Sequence, residues 1–177
     1  MPAHATKCLW SHQGRGRTAH ARAPPAALII RTNFFGWGTG YRQSFTDRII
    51  FQSRAGPRLK LFEDVFFTPI LIEMLVLAVQ DLVANHSSGI LHVVGDERSS
   101  TYDFGLAVAN QFGLDLGLIE ASRITDQPDL VQRPNDMSLS NSKTCGLLGR
   151  SLGSISTQLH ALQEQEKHGV ARELQSL

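Results

Sequence analysis

Apolar positions along the chain fall into blocks with different periods. Leu28-Ile29-Ile30 is a short apolar run without alternation, and it leads into Arg31-Thr32-Asn33 and then Phe34-Phe35-Gly36. A run of this kind predicts a strand buried on both faces, as in a parallel sheet. Such a strand delivers its polar residues at the carboxyl edge, where α/β sheets bind ligands. Gly89-Ile90-Leu91-His92-Val93-Val94-Gly95 predicts a second apolar strand between glycines, with His92 as a packed or rim residue. Leu59-Lys60-Leu61-Phe62 alternates and predicts a short strand, and 116–120 predicts a short extended segment.

Helical spacing appears in between. Ser44 to Ser53 predicts a helix through Phe45 and Ile49, stopped by Ala55-Gly56-Pro57. Thr68 is expected as the N-cap, and Pro69 in the first turn, of a helix running to about Val83. Its surface is apolar nearly all round, so it is expected in the core. Further helices are expected over 102–112, 142–148 and 154–165, with a polar loop crossing the surface over 121–142. Residues 1–26 have no apolar periodicity and are expected to be disordered; 27–165 form the folded unit, and 166–177 a solvated tail.

Composition narrows the class. A chain of 177 residues with 42% hydrophobic positions fits one soluble globular domain. Net charge is +1, which calls for no polyanionic partner. Its distribution is uneven: residues 1–46 hold six of the 17 basic side chains and none of the 16 acidic ones, leaving 11 against 16. A basic lead suits a nucleic-acid arm, a transit peptide or sequence outside the fold. Trp10 is the lead's only aromatic before Phe34, so no nucleic-acid partner is expected. No membrane span is expected either, because the most apolar stretch, 65–83, is broken by Pro69, Glu73, Gln80 and Asp81. Cys8 and Cys145 lie far apart and read as reduced thiols of a cytoplasmic protein. His4, His12 and His20 have no partners at ligand spacing, so no metal is expected.

Gly36-Trp37-Gly38-Thr39-Gly40 follows the first strand but fails as a dinucleotide fingerprint, since Tyr41 stands where the third glycine is needed. It reads as a flexible substrate-side loop. Arg133 on a polar loop suits a diphosphate, which a guanidinium grips with paired hydrogen bonds; the plainer reading is a surface arginine. Lys143 opens a helix, where the dipole disfavours it, and Asp64 can cap a turn.

Four segments in order carry a resemblance: Arg31-Thr32-Asn33-Phe34-Phe35-Gly36-Trp37; Leu61-Phe62-Glu63-Asp64-Val65-Phe66-Phe67-Thr68-Pro69-Ile70; Gly89–Gly95 with Arg98–Phe104 behind it; and Arg133–Leu139 followed by Asn141-Ser142-Lys143. Over residues 27 to about 163 the chain resembles the carboxyl half of the dTDP-4-dehydrorhamnose reductases, which are extended short-chain dehydrogenases/reductases. The resemblance implies an α/β fold: the carboxyl-terminal part of a Rossmann-like sheet with a small substrate-binding subdomain, the cofactor half missing. It implies that Thr32, Asn33, Phe34 and Phe35 line the junction of nicotinamide and sugar. Asp64, Pro69, Arg133 and Pro134 would face a nucleotide-sugar. NADP(H) is the implied cofactor, although its binding by this chain alone is not expected.

The family's Tyr-x-x-x-Lys pair, proton donor and its lysine, is absent: Phe45 stands four residues after Tyr41, and Leu106 four after Tyr102. Within residues 8–17, back-translation read one base later permits Tyr-Gly-x-Thr-Lys. The leader is therefore expected to be reductase sequence out of frame, or to follow a misplaced start. Two readings result. One is a truncated, inactive nucleotide-sugar reductase; the other is a non-catalytic subunit like the beta subunit of methionine adenosyltransferase, with a protein partner over the exposed sheet.

Overall fold

The structure is a computed structural model, and it describes residues 27–126 and 134–177. It has the expected α/β class, built from strand pairs joined through helices. Strand β1 (Leu28–Arg31) pairs in parallel with β6 (Gly89–His92), Leu28 opposite Gly89 and Arg31 opposite His92. Its continuation β2 (Phe34–Phe35) pairs in parallel with β5 (Ile70–Leu71). A second parallel pair joins β3 (Leu59–Phe62) to β8 (Ile119–Ser122). The short strands β4 (Phe66–Phe67) and β7 (Ser99–Ser100) pair antiparallel.

Among the described residues, six helices pack on these pairs. Helix α1 (Phe45–Ala55) is opened by a capping box between Ser44 and Asp47 and closed by Gly56 in the left-handed region. Next come α2 (Ile72–Ala84), α3 (Thr101–Gln111), α4 (Ser142–Leu148), α5 (Ile155–Lys167) and α6 (Val170–Gln175). Ser100 and Ser154 accept N-cap bonds from Asp103 and Thr157, so the predicted starts of α3 and α5 have their physical cause.

The core has two parts. The first is centred on Phe104, fully buried, with its ring 5.1 Å from Phe35 and 5.3 Å from Phe67, both edge-on. Leu61, Ile49, Ile50, Leu159 and Leu162 complete it. The second lies between α2, α4 and the β1–β6 pair: Ile70, Leu75, Ala78, Leu82, Leu91, Val93 and Leu152. Buried Gln158 joins the two regions. Its Oε1 accepts from the Leu71 N–H at 2.5 Å, and its Nε2 donates to the carbonyls of Leu152 and Gly153 at 3.0 and 2.9 Å.

Several expectations are corrected. Strand β1 is half-buried at every position instead of covered on both faces; Leu28 and Ile30 pack on the second core while β6 occupies one edge. Thr68 does not cap α2. Its hydroxyl donates to the Leu139 carbonyl at 3.2 Å and accepts the Leu139 N–H at 3.0 Å, and β5 intervenes before the helix starts at Ile72. Nor is α2 wholly in the core: Leu75, Ala78 and Leu82 are buried, but Val76, Leu77 and Val83 stand 47%, 46% and 59% exposed. The segment 116–120 begins with a 3-10 turn, Leu116–Leu118, before β8. The solvated tail is in part a helix, because α6 folds back on α5 and buries Ala171 in the first core. The predicted leader, with Cys8, and Arg133 lie outside the described residues.

Candidate active-site cleft

An open cleft of about 950 Å³ lies where β2 leaves the sheet, bounded by the glycine-rich loop and the start of α1. Phe34, Tyr41, Arg42, Gln43, Phe45 and Ile72 are among its walls. Residues alternate between exposure and anchoring here: Phe34 is 62% exposed, while its neighbour Phe35 is buried against Phe104. Trp37 is buried too, and its indole N–H donates to the Leu162 carbonyl at 3.2 Å.

The loop expected to be flexible is hydrogen-bonded along its length. The Asp47 carboxylate, on the first turn of α1, accepts the Gly38 N–H at 2.7 Å and the Ser44 N–H at 2.8 Å through the same oxygen. Thr46 donates from its hydroxyl to the Gly36 carbonyl at 2.7 Å. A Cβ on Gly38 would lie 2.4 Å from the Arg42 carbonyl and 2.6 Å from Asp47 Oδ2, so only glycine allows this wrap.

This arrangement bears on the implied cofactor. A dinucleotide pyrophosphate needs free N–H groups at a glycine turn and helix N-terminus. Here the Gly38 and Ser44 N–H groups are already taken by the Asp47 carboxyl, so the loop backbone does not offer the N–H cradle of a dinucleotide site. Thr32 differs: its hydroxyl is buried with no hydrogen-bond partner among the described residues.

The predicted site residues are brought together in part. Asn33 donates from its side-chain amide to the Met137 carbonyl at 2.9 Å, tying the end of β1 to the segment after Pro134. That segment meets β4 in a single parallel bridge, Asp136 opposite Phe66: the Phe66 N–H donates to the Asn135 carbonyl at 2.7 Å, and the Met137 N–H to the Phe66 carbonyl at 2.9 Å. Pro134 is exposed at its start. Asp64 points elsewhere, its carboxylate accepting the Ile124 N–H at 3.1 Å and capping a 3-10 turn. Pro69 is buried and serves through its carbonyl, which accepts the Gly95 N–H at 3.1 Å. Of these residues, Phe34 and Phe35 alone form part of the cleft wall. Sequence reasoning missed Tyr41, Arg42, Gln43, Phe45 and Ile72; the aromatic and polar residues interleaved in and after the glycine run were the available signal.

Two carboxylates fix the surroundings. Asp136 is held down to about 2 by hydrogen bonds from Ser138 and by Arg98, whose guanidinium sits 2.9 Å from it and 3.6 Å above the Phe66 ring. Burial pushes Asp96 up, but donors from Ser151, Asn141, Leu152 and Gly153 outweigh it and leave the carboxyl below its ordinary value. Asn141 thereby fastens the start of α4 to the end of β6, since its amide also donates to the carbonyls of Val94 and Gly95. His92 is half-buried and its Nδ1 lies 3.2 Å from the Ser140 carbonyl, a rim position as expected.

Comparison with known proteins agrees with this geometry. The family model described as RmlD substrate binding domain matches residues 13–167. The probable low-salt glycan biosynthesis reductase Agl14 of Haloferax volcanii is 30% identical over 145 residues, covering 78% of this chain and 47% of that protein. A hypothetical dTDP-4-dehydrorhamnose reductase from Sulfolobus tokodaii superposes with a TM-score of 0.66 at 25% identity, covering 78% of this chain and 47% of that one. The dTDP-4-dehydrorhamnose reductase of Bacillus anthracis, solved in complex with NADP, gives 0.69 at 16% identity, covering 78% and 48%. The chain thus spans about half the length of the relatives it matches, and its fold is that of the corresponding part of an extended, Rossmann-like short-chain dehydrogenase/reductase. With a cleft at the carboxyl edge of parallel strands and a family match over most of its length, the chain belongs to the RmlD substrate-binding domain family.

Proposed function

We propose that this chain is the nucleotide-sugar-binding part of a reductase resembling dTDP-4-dehydrorhamnose reductase, and that it performs no hydride transfer by itself. The observation that carries the reading is the cleft beside β2, where exposed Phe34 meets a wall with a guanidinium and hydroxyl groups. An aromatic face and hydrogen-bond donors suit a 4-keto-6-deoxy sugar joined to a diphosphate. In this reading Phe34 packs on the sugar, and the Thr32 hydroxyl, buried without a partner, takes its hydrogen bond from cofactor or substrate. Asn33 acts indirectly, by holding the segment that leads back to Pro134 and Arg133, and Arg133 meets the diphosphate. Asp64 and Pro69 support the site through their backbone partners. NADP(H) is the cofactor of the complete reaction, held by groups other than the Asp47-filled loop. A cytoplasmic location accords with two cysteines far apart in sequence.

The test is to offer the full chain NADPH and a dTDP-4-keto-6-deoxy sugar. The sugar nucleotide should bind, and NADPH absorbance should stay constant. Steady NADPH oxidation by the purified chain alone would refute the claim that it lacks the catalytic machinery.

A second reading, a non-catalytic subunit with a protein partner, is favoured by one feature. Among the described residues β1 pairs only with β6, and α2 leaves Val76, Leu77 and Val83 uncovered. Apolar surface beside an unpaired strand edge is a surface to be covered. A soluble monomer that stays dispersed at high concentration would count against that need.

A further inference from the structure

The glycine-rich loop ends in a turn with its own support. Thr39 and Arg42 exchange backbone hydrogen bonds of 3.2 and 3.0 Å, which places Gly40 and Tyr41 at the tip. Gly40 is not among the glycines with positive φ, so its backbone conformation does not require glycine. The requirement is spatial: a Cβ there would lie 2.4 Å from the Gln175 carbonyl oxygen at the end of α6. Helix α6 therefore backs the turn, and α6 is itself anchored by Ala171 and Leu174 against the first core.

The turn held in this way presents two side chains without partners among the described residues. Tyr41 is 82% exposed and stacks on no aromatic ring among the described residues. Arg42 is exposed and, among the described residues, forms no ion pair. Both belong to the wall of the same cleft as Phe34. An exposed ring and an exposed guanidinium, adjacent on a turn fixed from behind by backbone contact, match a ligand that carries a planar ring next to an anion.

We propose that Tyr41 and Arg42 are binding contacts for the nucleoside diphosphate part of the ligand. Tyr41 stacks on the base, and Arg42 donates two hydrogen bonds to diphosphate oxygens. The proposal rests on the reading of the cleft as a nucleotide-sugar site.

NMR titrations of the full chain with dTDP, thymidine and inorganic pyrophosphate test it. Arg42→Gln should weaken dTDP and pyrophosphate about tenfold and leave thymidine within about twofold. Tyr41→Ala should weaken dTDP and thymidine by about fivefold or more and leave pyrophosphate unchanged, while Tyr41→Phe keeps wild-type affinity. Both side chains are exposed, so the melting temperature serves as a control for folding. Wild-type binding of dTDP with both variants matching it within about twofold would overturn the proposal and leave the cleft reading intact. Failure of the wild-type chain to bind dTDP would overturn both.

Discussion

At the scale of single residues, the cleft depends on Asp47 more than on any residue that touches solvent. One of its oxygens accepts two loop N–H groups, and the capping box opens α1. Asp47→Ala removes a cap and deprives both N–H groups of their acceptor, so a loss of about 2 kcal/mol in urea unfolding is expected. Phe34 is the opposite case. Being 62% exposed, Phe34→Ala should change stability by less than about 0.5 kcal/mol yet weaken sugar-nucleotide binding. A large loss of stability without loss of binding would reverse its assigned role. Asp136 gives a pH signature. Its folded pKa, about 2, lies below the ordinary value of 3.8, so its contribution is fully present above the unfolded value and fades as pH falls from about 4 towards 2. The melting temperatures of wild type and Asp136→Asn should therefore differ by a constant amount near neutral pH and converge across that acid window. A gap that persists unchanged at the acid end would show that the carboxylate's charge is not the cause.

At the scale of elements, what the sequence displayed and what it concealed divide by range. Helices α1, α3, α4 and α5 were legible because their signals are local: Ser44, Ser100 and Ser154 as caps, and Gly56 and Gly149 as left-handed stops. Thr68 deceived because Thr-Pro looks like a helix start, whereas its hydroxyl is committed to Leu139, 71 residues away. Helix α6 was missed because six residues are too few to show a period, and its hold on the core rests on buried Ala171 and partly buried Leu174 alone. The cleft was half legible. The strand edge announced Phe34, but a failed glycine template drew attention away from Tyr41 and Arg42 beside it. The close approach of α6 to the loop makes its own prediction. Gly40→Ala must displace either the turn or the Gln175 backbone, a strain costing about 1–3 kcal/mol that a thermal melt would detect. An unchanged melt would mean that the contact is slack.

At the scale of the molecule, the governing fact is that the chain spans about half the length of relatives it matches, 47% to 49% of four of them. Among the described residues β1 pairs only with β6, and α2 has an apolar face towards solvent. Replacing Val76 and Leu77 together by glutamate should leave the unfolding free energy within about 0.5 kcal/mol while lowering self-association measured by sedimentation. Association that is unaffected would place the sticky surface elsewhere. The central claim, that this half retains a working nucleotide-sugar cleft, is open to a direct measurement: hydrogen–deuterium exchange of the full chain with and without dTDP. The account predicts slower exchange confined to the β2 edge, the glycine-rich loop and the first turn of α1, residues 34–47. Protection centred elsewhere, or none at saturating dTDP, would contradict it.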